Sequence, residues 1–234
     1  MHDEGDAPHA RRALLKNGLL LAGAIAAPGA IAATAKRAPD RITTADLRHV
    51  TPAPRPAFAT AVTSPRVVRP ELMRRAMAAL DRHGSRVRRD RMAIVDFAVK
   101  SAEHRFHFVD LASGRSTSLR VAHGSGSDPA HTGWLQRFSN EHGSNASCDG
   151  AFATADYYHG KHGRSQRLHG LDASNNNALE RAIVIHGAWY ANPDMIRTHG
   201  MLGRSQGCFA FAEGELEQVF AQLGTGRMIY AAKV

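Results

Sequence analysis

Short apolar runs separated by polar turns dominate the chain from residue 92 onward. Their length and their β-branched and aromatic content are typical of strands. The predicted strands cover residues 92–99, 106–111, 119–122, 151–158, 182–185 and 228–232. Successive strands follow in hairpin order, with a hairpin turn at residues 112–115. We therefore predict a mainly β fold, an antiparallel β-sandwich or barrel with a few short helices.

Helical periodicity is confined to two segments. After Pro70, apolar residues recur at helical spacing up to a glycine, which predicts a short basic helix over residues 71–84. A second helix is predicted over residues 213–223. The segments 123–149 and 159–170 are dense in Gly, Ser, Asn and His, and we predict them to be loops.

The first 35 residues have the pattern of an export signal. Arg11 and Arg12 form a twin-arginine motif, an apolar stretch covers residues 18–33, and a small-residue cleavage site precedes Lys36. We therefore expect export by the twin-arginine route and a location in the periplasm or cell envelope of a bacterium. A retained membrane anchor is the alternative, although small residues insert weakly into membranes. The proline-rich residues 36–70 are predicted to form an extended linker.

The positive charge of the chain is concentrated in one segment. Residues 36–91 hold fourteen Lys or Arg and five Asp or Glu, whereas the residues from Met92 onward hold thirteen of each kind. Because this segment directly follows an export signal, chromosomal DNA is excluded as its partner. Anionic wall polymers or a membrane surface are the expected partners, and a solvated segment without a specific partner is the alternative.

A candidate nucleophile, Cys208, ends the run Gly-Arg-Ser-Gln-Gly-Cys at residues 203–208. A reactive thiol needs a base, and it needs N–H donors for the oxyanion that develops during attack. The preceding Gly207 lets the backbone turn and present consecutive N–H groups. His186 lies 22 residues earlier, at the end of a predicted strand, and is the candidate base. An imidazole beside the thiol would lower its pKa below the free value of about 8.5.

The ordered motifs His-Gly at 186–187 and Ser-x-Gly-Cys at 205–208 resemble those of the murein L,D-transpeptidases of the YkuD type. Further stretches resemble one branch of that family. They are His-Gly-Ser-Gly at 123–126, Phe-Ser-Asn at 138–140, His-Gly-Leu at 169–171, Asn-Asn-Asn-Ala at 175–178 and Arg-Ala-Ile-Val-Ile-His at 181–186. The resemblance covers roughly residues 90–232 and implies an L,D-transpeptidase-like catalytic domain over residues 90–234.

The resemblance implies a role for each matching residue. Cys208 is the nucleophile that forms an acyl-enzyme, His186 is the general base, and Ser205 shapes the loop. The N–H groups of Gly207 and Cys208 contribute to the oxyanion hole. The implied reaction attacks the carbonyl between a diaminopimelate-type residue and a terminal D-Ala of a peptidoglycan stem peptide. An amine acceptor gives a cross-link, whereas water makes the enzyme an L,D-carboxypeptidase, and neither outcome needs a metal or an organic cofactor.

The substrate-binding residues match the family less well. Gln206 stands where the family has a His, and the Arg that usually follows the Cys is missing, so Arg204 is the candidate replacement for its charge. Gly187 belongs to the matched His-Gly motif. His123 is a candidate pocket residue that contacts substrate or orients its loop, and Trp189 is a candidate for a groove that takes glycan or peptide. A structural role is the alternative for both His123 and Trp189.

Other interpretations start from the same residues. A non-catalytic cell-wall-binding module would keep the fold and the basic segment but has no need of Cys208 and His186 together. An envelope cysteine protease would show a different sequence around its Cys. The Gly-x-Ser-x-Gly pattern of an α/β-hydrolase requires a catalytic His after the Ser, and no His follows His199. A metal site is not indicated, because the abundant His residues lack zinc-ligand spacing.

The second cysteine, Cys148, lacks the preceding glycine that marks Cys208. We predict it to be a small buried residue. A disulfide with Cys208 is the alternative, since an even number of cysteines is common in exported proteins.

Overall fold

Eight strands form one sheet in the computed structural model, which describes residues 68–234. The strands are β1 Arg88–Asp96, β2 Phe106–Asp110, β3 Ser116–Leu119, β4 Gly150–Gly160, β5 Gly163–Gly170, β6 Val184–Gly187, β7 Phe209–Phe211 and β8 Arg227–Ala232. The helices are α1 Pro70–His83, α2 Pro193–His199 and α3 Leu216–Leu223. The predicted export signal and the predicted linker up to residue 67 lie outside the described residues.

The strands lie across the sheet in the order β3-β2-β1-β8-β4-β5-β6-β7. Five neighbouring pairs are antiparallel, and two pairs, β1 with β8 and β6 with β7, are parallel. The prediction of a mainly β, mainly antiparallel fold is confirmed, although the two parallel pairs make the sheet mixed. Beyond β3, Ala122 donates its N–H to the carbonyl of Ala210 in β7 at 2.9 Å. The two edges of the sheet therefore meet, as they do in a barrel.

The second half of strand β1, residues 92–96, is buried on both of its faces. Ala93 and Val95 point into an aromatic core, whereas Met92 and Ile94 point toward helix α1, because side chains alternate along a strand. The buried phenylalanines of the aromatic core are Phe97, Phe106, Phe108, Phe152, Phe209, Phe211 and Phe220. The sheet thus separates two hydrophobic layers, which accounts for the continuous apolar run in the sequence of β1.

Helix α1 covers the second face of the sheet. It begins with Pro70, whose fixed φ suits the first helical position, and its apolar residues recur at helical spacing. The buried residues of the helix are Leu72, Ala76, Ala79, Leu80 and His83. At the end of the helix, His83 Nε2 lies 2.8 Å from Asp172 Oδ1, in the segment after β5. The helix therefore packs as part of the same domain as the sheet.

One predicted loop is wrong. Residues 159–170 form the end of β4, a tight turn and strand β5. The polar composition conceals the strand, because backbone hydrogen bonds to the neighbouring strands do not depend on the side chains. The buried Nε2 of Gln166 donates to the carbonyls of Ala155 and Gly224, at 3.1 and 2.7 Å. Strand β7 and helix α2 are likewise not among the predicted elements.

Replacing Leu72 by Ala should lower the free energy of unfolding by about 2–5 kcal/mol, because the change leaves a cavity between α1 and the sheet. Urea unfolding followed by circular dichroism measures this change. Arg74→Ala, on the exposed face of the same helix, is the control and should cost less than about 0.5 kcal/mol. Equally small effects of both substitutions would mean that α1 does not stabilise the domain.

Candidate active site

The parallel register of β6 and β7 brings two distant residues together. Ile185 lies opposite Phe209, so Cys208 lies level with Val184, one residue before β7 begins. Ile185 and Phe209 point into the aromatic core. Because side chains alternate along a strand, His186 points to the opposite face, where Cys208 also lies. The two residues, 22 positions apart in the chain, line the same cavity.

The cavity has a volume of about 470 Å³, which is within the range of small-molecule sites. Four segments form its wall: the tip of the β4–β5 hairpin, residues 181–186 up to and within β6, Tyr190 after β6, and the loop before β7. The lining residues are Tyr158, Gly160, Lys161, His162, Arg181, Ala182, Val184, His186, Tyr190, Arg204, Ser205, Gln206 and Cys208. The predicted residues Cys208, His186, Ser205, Arg204 and Gln206 are therefore brought together.

The thiol of Cys208 is held in its protonated form. Its Sγ donates to the carbonyl of Ala182 at 3.5 Å. Burial raises the pKa of Cys208, and this effect outweighs the opposing effects of the Val184 N–H and of the charges on Lys161 and Arg181. Ala182 itself adopts the left-handed conformation, φ +53°, which costs a non-glycine residue roughly 1–2 kcal/mol. The carbonyl that accepts the hydrogen bond of the thiol thus belongs to a strained residue.

The ring of His186 has a defined tautomer. Its Nδ1 lies 3.0 Å from the carbonyl of Gly187, and because a carbonyl only accepts, Nδ1 carries the proton. Nε2 is then the basic nitrogen. The ring of His162 stacks on that of His186 with centroids 4.3 Å apart. Burial lowers the pKa of His186 to about 4, so the imidazole is neutral at neutral pH.

The loop before β7 is fixed by the side chain of Ser205. Its Oγ donates to the carbonyl of Cys208 at 2.8 Å and accepts the N–H of Gly207 at 3.1 Å. Gly207 has φ +111°, and a Cβ at this position would lie 2.7 Å from the carbonyl oxygen of Ala146, so only glycine fits. The N–H of Gly207, predicted as an oxyanion donor, is engaged by Ser205 within the loop.

The predicted pocket residue His123 lies behind the site and does not line the cavity. It is buried, and its ring lies between two charged groups: Arg105 Nη2 donates to Nδ1 at 2.7 Å, and Nε2 lies 3.4 Å from Asp128 Oδ2. Its carbonyl accepts the N–H of Ser205 at 2.9 Å. His123 therefore supports the loop that carries Cys208, and its position argues against the predicted substrate contact.

The charges around His123 are buried and are held by hydrogen bonds. Arg105 donates to the carbonyls of Val121 and Val99, and burial lowers its pKa to about 9, so the guanidinium stays charged at neutral pH. Burial by itself would raise the pKa of Asp128, but hydrogen bonds from Thr132 and Gly133 outweigh it and lower the pKa. Burial and the charge of Arg105 lower the pKa of His123 to about 3, so the bridging ring is neutral.

Two other predicted substrate-binding residues lie beside the cavity and do not line it. Gly187 contributes the carbonyl that orients His186, and its α-carbon faces Glu213 and Leu216. Trp189 is 67% exposed and meets Tyr190 edge to face, with ring centroids 5.9 Å apart. Tyr190 does line the cavity, and burial raises the pKa of its hydroxyl.

Sequence reasoning misses three polar residues of the cavity wall: Lys161, His162 and Arg181. The first two lie in the segment predicted as a loop, so nothing in the pattern indicates that they face His186. Arg181 opens the matched stretch before His186, which was the available signal. Its guanidinium donates to the carbonyls of Ser139 and Ala146, at 2.7 and 2.6 Å, and ties the segment 139–148 to the cavity.

The second cysteine fits its predicted role. Cys148 is buried, and both cysteines are free, so the structure contains no disulfide between Cys148 and Cys208. The Sγ of Cys148 donates to the carbonyl of Ser139 at 3.3 Å and accepts from Arg181 Nη1 at 2.8 Å. Arg181 therefore lines the cavity of Cys208 and also contacts the thiol of Cys148.

Within residues 68–234, no three His, Cys, Asp or Glu side chains are grouped so that they could hold a metal ion. No helix in that part of the chain is long and apolar enough to cross a membrane.

Stability should fall as the pH drops from about 6.5 to about 4.5. Burial lowers the pKa of His107 and of His186 to about 4 and that of His123 to about 3, whereas an unfolded His titrates near about 6.5. In this window the unfolded chain binds more protons than the folded chain. Each of the three residues therefore lowers the free energy of unfolding by up to about 1.4 kcal/mol for each pH unit of acidification. Urea unfolding at a series of pH values measures the slope, and constant stability across the window would contradict the buried neutral histidines.

No curated protein matches the chain. Among solved structures, an L,D-transpeptidase from Mycobacterium smegmatis is 10% identical over 61% of this chain and 58% of that chain, with a TM-score of 0.36. An L,D-transpeptidase from Mycobacterium tuberculosis is 12% identical over 62% of this chain and 58% of that chain, with a TM-score of 0.35. The helical cell-shape-determining protein from Campylobacter jejuni is 14% identical over 71% of this chain and 57% of that chain, with a TM-score of 0.41.

The chain spans less than two thirds of the length of each of these structures. The family described as the L,D-transpeptidase catalytic domain matches residues 65–232, a range that contains every helix and strand from α1 to β8. The chain belongs to the L,D-transpeptidase catalytic domain family.

Proposed function

We propose that this chain is an exported, cysteine-dependent L,D-transpeptidase that acts on peptidoglycan stem peptides. The observation that carries the proposal is the cavity shared by Cys208 and His186, in a chain that belongs to the L,D-transpeptidase catalytic domain family. The family supplies the reaction class. The cavity, its glycine-dependent loop and the tautomer of His186 support the assignment of a nucleophile and a base to these two residues.

Acylation starts from a neutral thiol and a neutral imidazole. As Cys208 Sγ attacks the carbonyl between the diaminopimelate-type residue and the terminal D-Ala, His186 Nε2 accepts the thiol proton. The oxyanion of the tetrahedral intermediate is stabilised by the N–H of Cys208, with the Gly207 N–H available once Ser205 Oγ releases it. His186 then gives the proton to the leaving amine of D-Ala, the carbon–nitrogen bond breaks, and a thioester remains on Cys208.

Resolution of the thioester repeats the same proton transfers in reverse. An amine of a second stem peptide attacks the thioester carbonyl and gives a proton to His186. The carbon–sulfur bond breaks, the sulfur recovers the proton, and a new amide joins the two stems. Water in place of the amine releases a shortened stem, and the chain then acts as an L,D-carboxypeptidase.

Arg204 and Gln206 are proposed to contact the substrate from the loop that carries Cys208. Both line the cavity. One guanidinium nitrogen of Arg204, Nη1, donates to the carbonyls of Asp128 and Pro129, which holds the side chain across the loop. The charge of Arg204 is therefore pre-oriented, and Gln206 offers both a donor and an acceptor.

The location and the surface partners are part of the proposal. The twin-arginine pattern supports export to the periplasm or cell envelope, where peptidoglycan lies. The described end of the basic segment exposes several arginines that suit an anionic wall polymer or a membrane surface. These residues are Arg74, Arg75, Arg82, Arg86, Arg88 and Arg89.

A non-catalytic wall-binding module of the same fold is the second candidate. The observation in its favour is that burial raises the pKa of Cys208, because structural buried cysteines are usually unreactive. The basic segment and the cavity would then serve only to dock wall material.

Acylation by a carbapenem distinguishes the two candidates, because carbapenems are slow acyl donors for L,D-transpeptidases. Intact-mass analysis should show the gain of one drug molecule in the wild type and in Cys148→Ala, and no gain in Cys208→Ala. Cys148→Ala is the matched control, since it removes the other free thiol of the described chain. No adduct on a protein whose Cys208 is shown to be a free thiol would favour the wall-binding module.

The pH dependence of this acylation should report His186. Because burial lowers the pKa of His186 to about 4, the base is neutral above about pH 5 and the rate should stay flat up to about pH 7.5. Below about pH 5 the rate should fall, with half of it lost near about pH 4. The measurement is the rate of mass gain at each pH, with circular dichroism to confirm that the protein is folded. An inflection near about pH 6.5 would contradict a buried base.

A further inference from the structure

The tip of the β4–β5 hairpin forms one wall of the cavity. The two strands pair as far as Gly160 and Gly163, so Lys161 and His162 are the two residues of the turn. The stacking of His162 on His186, with ring centroids 4.3 Å apart, sets the turn directly against the candidate base. Lys161 is exposed and lines the same cavity as Cys208. Lys161 therefore belongs to the wall of the cavity that holds the two candidate reacting groups.

The charged side chains that line the cavity are all positive. None of the described residues that line it carries a carboxylate, whereas Lys161, Arg181 and Arg204 carry positive charges. Coulombic attraction in such a cavity favours an anionic ligand over a neutral ligand of the same shape.

The three cations differ in the number of hydrogen bonds that they make within the protein. Arg181 donates to four groups of the segment 139–148, and Arg204 donates Nη1 to two carbonyls. Lys161 makes no hydrogen bond or ion pair with any described residue. An ammonium has three donors on a flexible stem, so Lys161 is free to bind a group on the ligand.

The pKa shifts of Cys208 and His186 agree with the position of Lys161 in the cavity wall. Burial dominates both groups, raising the pKa of Cys208 and lowering that of His186, and the charge of Lys161 acts on both as a smaller downward effect. The charge of Lys161 therefore acts electrostatically on both groups.

We infer that Lys161 is a specificity-determining residue that binds a carboxylate of the peptide substrate beside the scissile bond. The inference rests on the proposed function for its substrate, and on the hairpin, the acid-free cavity and the unpaired ammonium for its chemistry. Two carboxylates of a stem peptide suit this role: that of the terminal D-Ala, and that on the side chain of the diaminopimelate-type residue.

Alkylation of Cys208 in the full-length protein tests the charge preference without requiring transpeptidation. Iodoacetate and iodoacetamide both alkylate the thiolate by displacing iodide. Iodoacetate carries a carboxylate, whereas iodoacetamide carries a neutral carboxamide in its place. The ratio of the two rates cancels the fraction of thiolate, and peptide mass mapping assigns the product to Cys208. Lys161→Met should lower the iodoacetate-to-iodoacetamide ratio about two- to fivefold, as expected for one partly exposed ion pair.

Two matched variants accompany this measurement. Lys161→Arg keeps the charge and should keep the wild-type ratio, and Lys100→Met removes a lysine outside the cavity and should also leave it unchanged. An unchanged ratio in Lys161→Met would overturn the inference. An equal fall in both alkylation rates would also overturn it, because Lys161 would then act on the thiol and not on the ligand.

Stem peptides identify which carboxylate is bound. Three tetrapeptides are compared: the free acid, one amidated at the terminal D-Ala, and one amidated on the side chain of the diaminopimelate-type residue. Lys161→Met should lower kcat/KM about two- to fivefold on the peptides that keep the bound carboxylate, and leave it unchanged on the peptide that lacks it. An equal loss on all three peptides would overturn the inference. If carbapenem acylation fails while Lys161→Met still lowers the iodoacetate-to-iodoacetamide ratio, the result counts against the proposed function alone.

Discussion

The parallel pairing of β6 with β7 is the constraint on which the site depends. It requires the chain to leave the sheet after Gly187, pass through α2 and return beside the strand it left. Parallel neighbours start from the same end of the sheet, so the start of β7 lies beside the start of β6. The register then puts Cys208 level with Val184, on the cavity face with His186. A shift of one residue would turn Cys208 into the core.

The loop that presents Cys208 is held from behind by a buried polar network. Arg105, His123 and Asp128 form a chain in which a neutral imidazole separates two opposite charges. Buried charges are costly unless their hydrogen bonds are made, and here backbone carbonyls and N–H groups complete them. The carbonyl of His123 then fixes Ser205, so a network that does not line the cavity positions the loop that carries Cys208.

The same burial that shapes the site sets its resting protonation. A thiol with a raised pKa and an imidazole with a lowered pKa form a neutral pair, so the charges develop only during attack. The positive side chains of Lys161 and Arg181 lie where they can stabilise negative charge on the sulfur. Under the proposed function, the cavity is arranged for charge that appears along the reaction and is absent at rest.

Much of this protein could be predicted from local sequence. The apolar runs predict the second half of β1 and most of β8, because these residues are buried on both faces of the sheet. Pro70 with its periodic apolar residues predicts α1. The motifs around His186 and Cys208 predict that these two residues share one site, because the same ordered motifs occur in the family that the sequence resembles. The tertiary structure alone decided the rest: β5 lacks a hydrophobic pattern, so only its pairing with β4 reveals the turn that carries Lys161 and His162 to the site. His123 has the sequence context of a pocket residue, yet packing against Arg105 and Asp128 buries it, because burial depends on contacts that a single stretch of sequence does not contain.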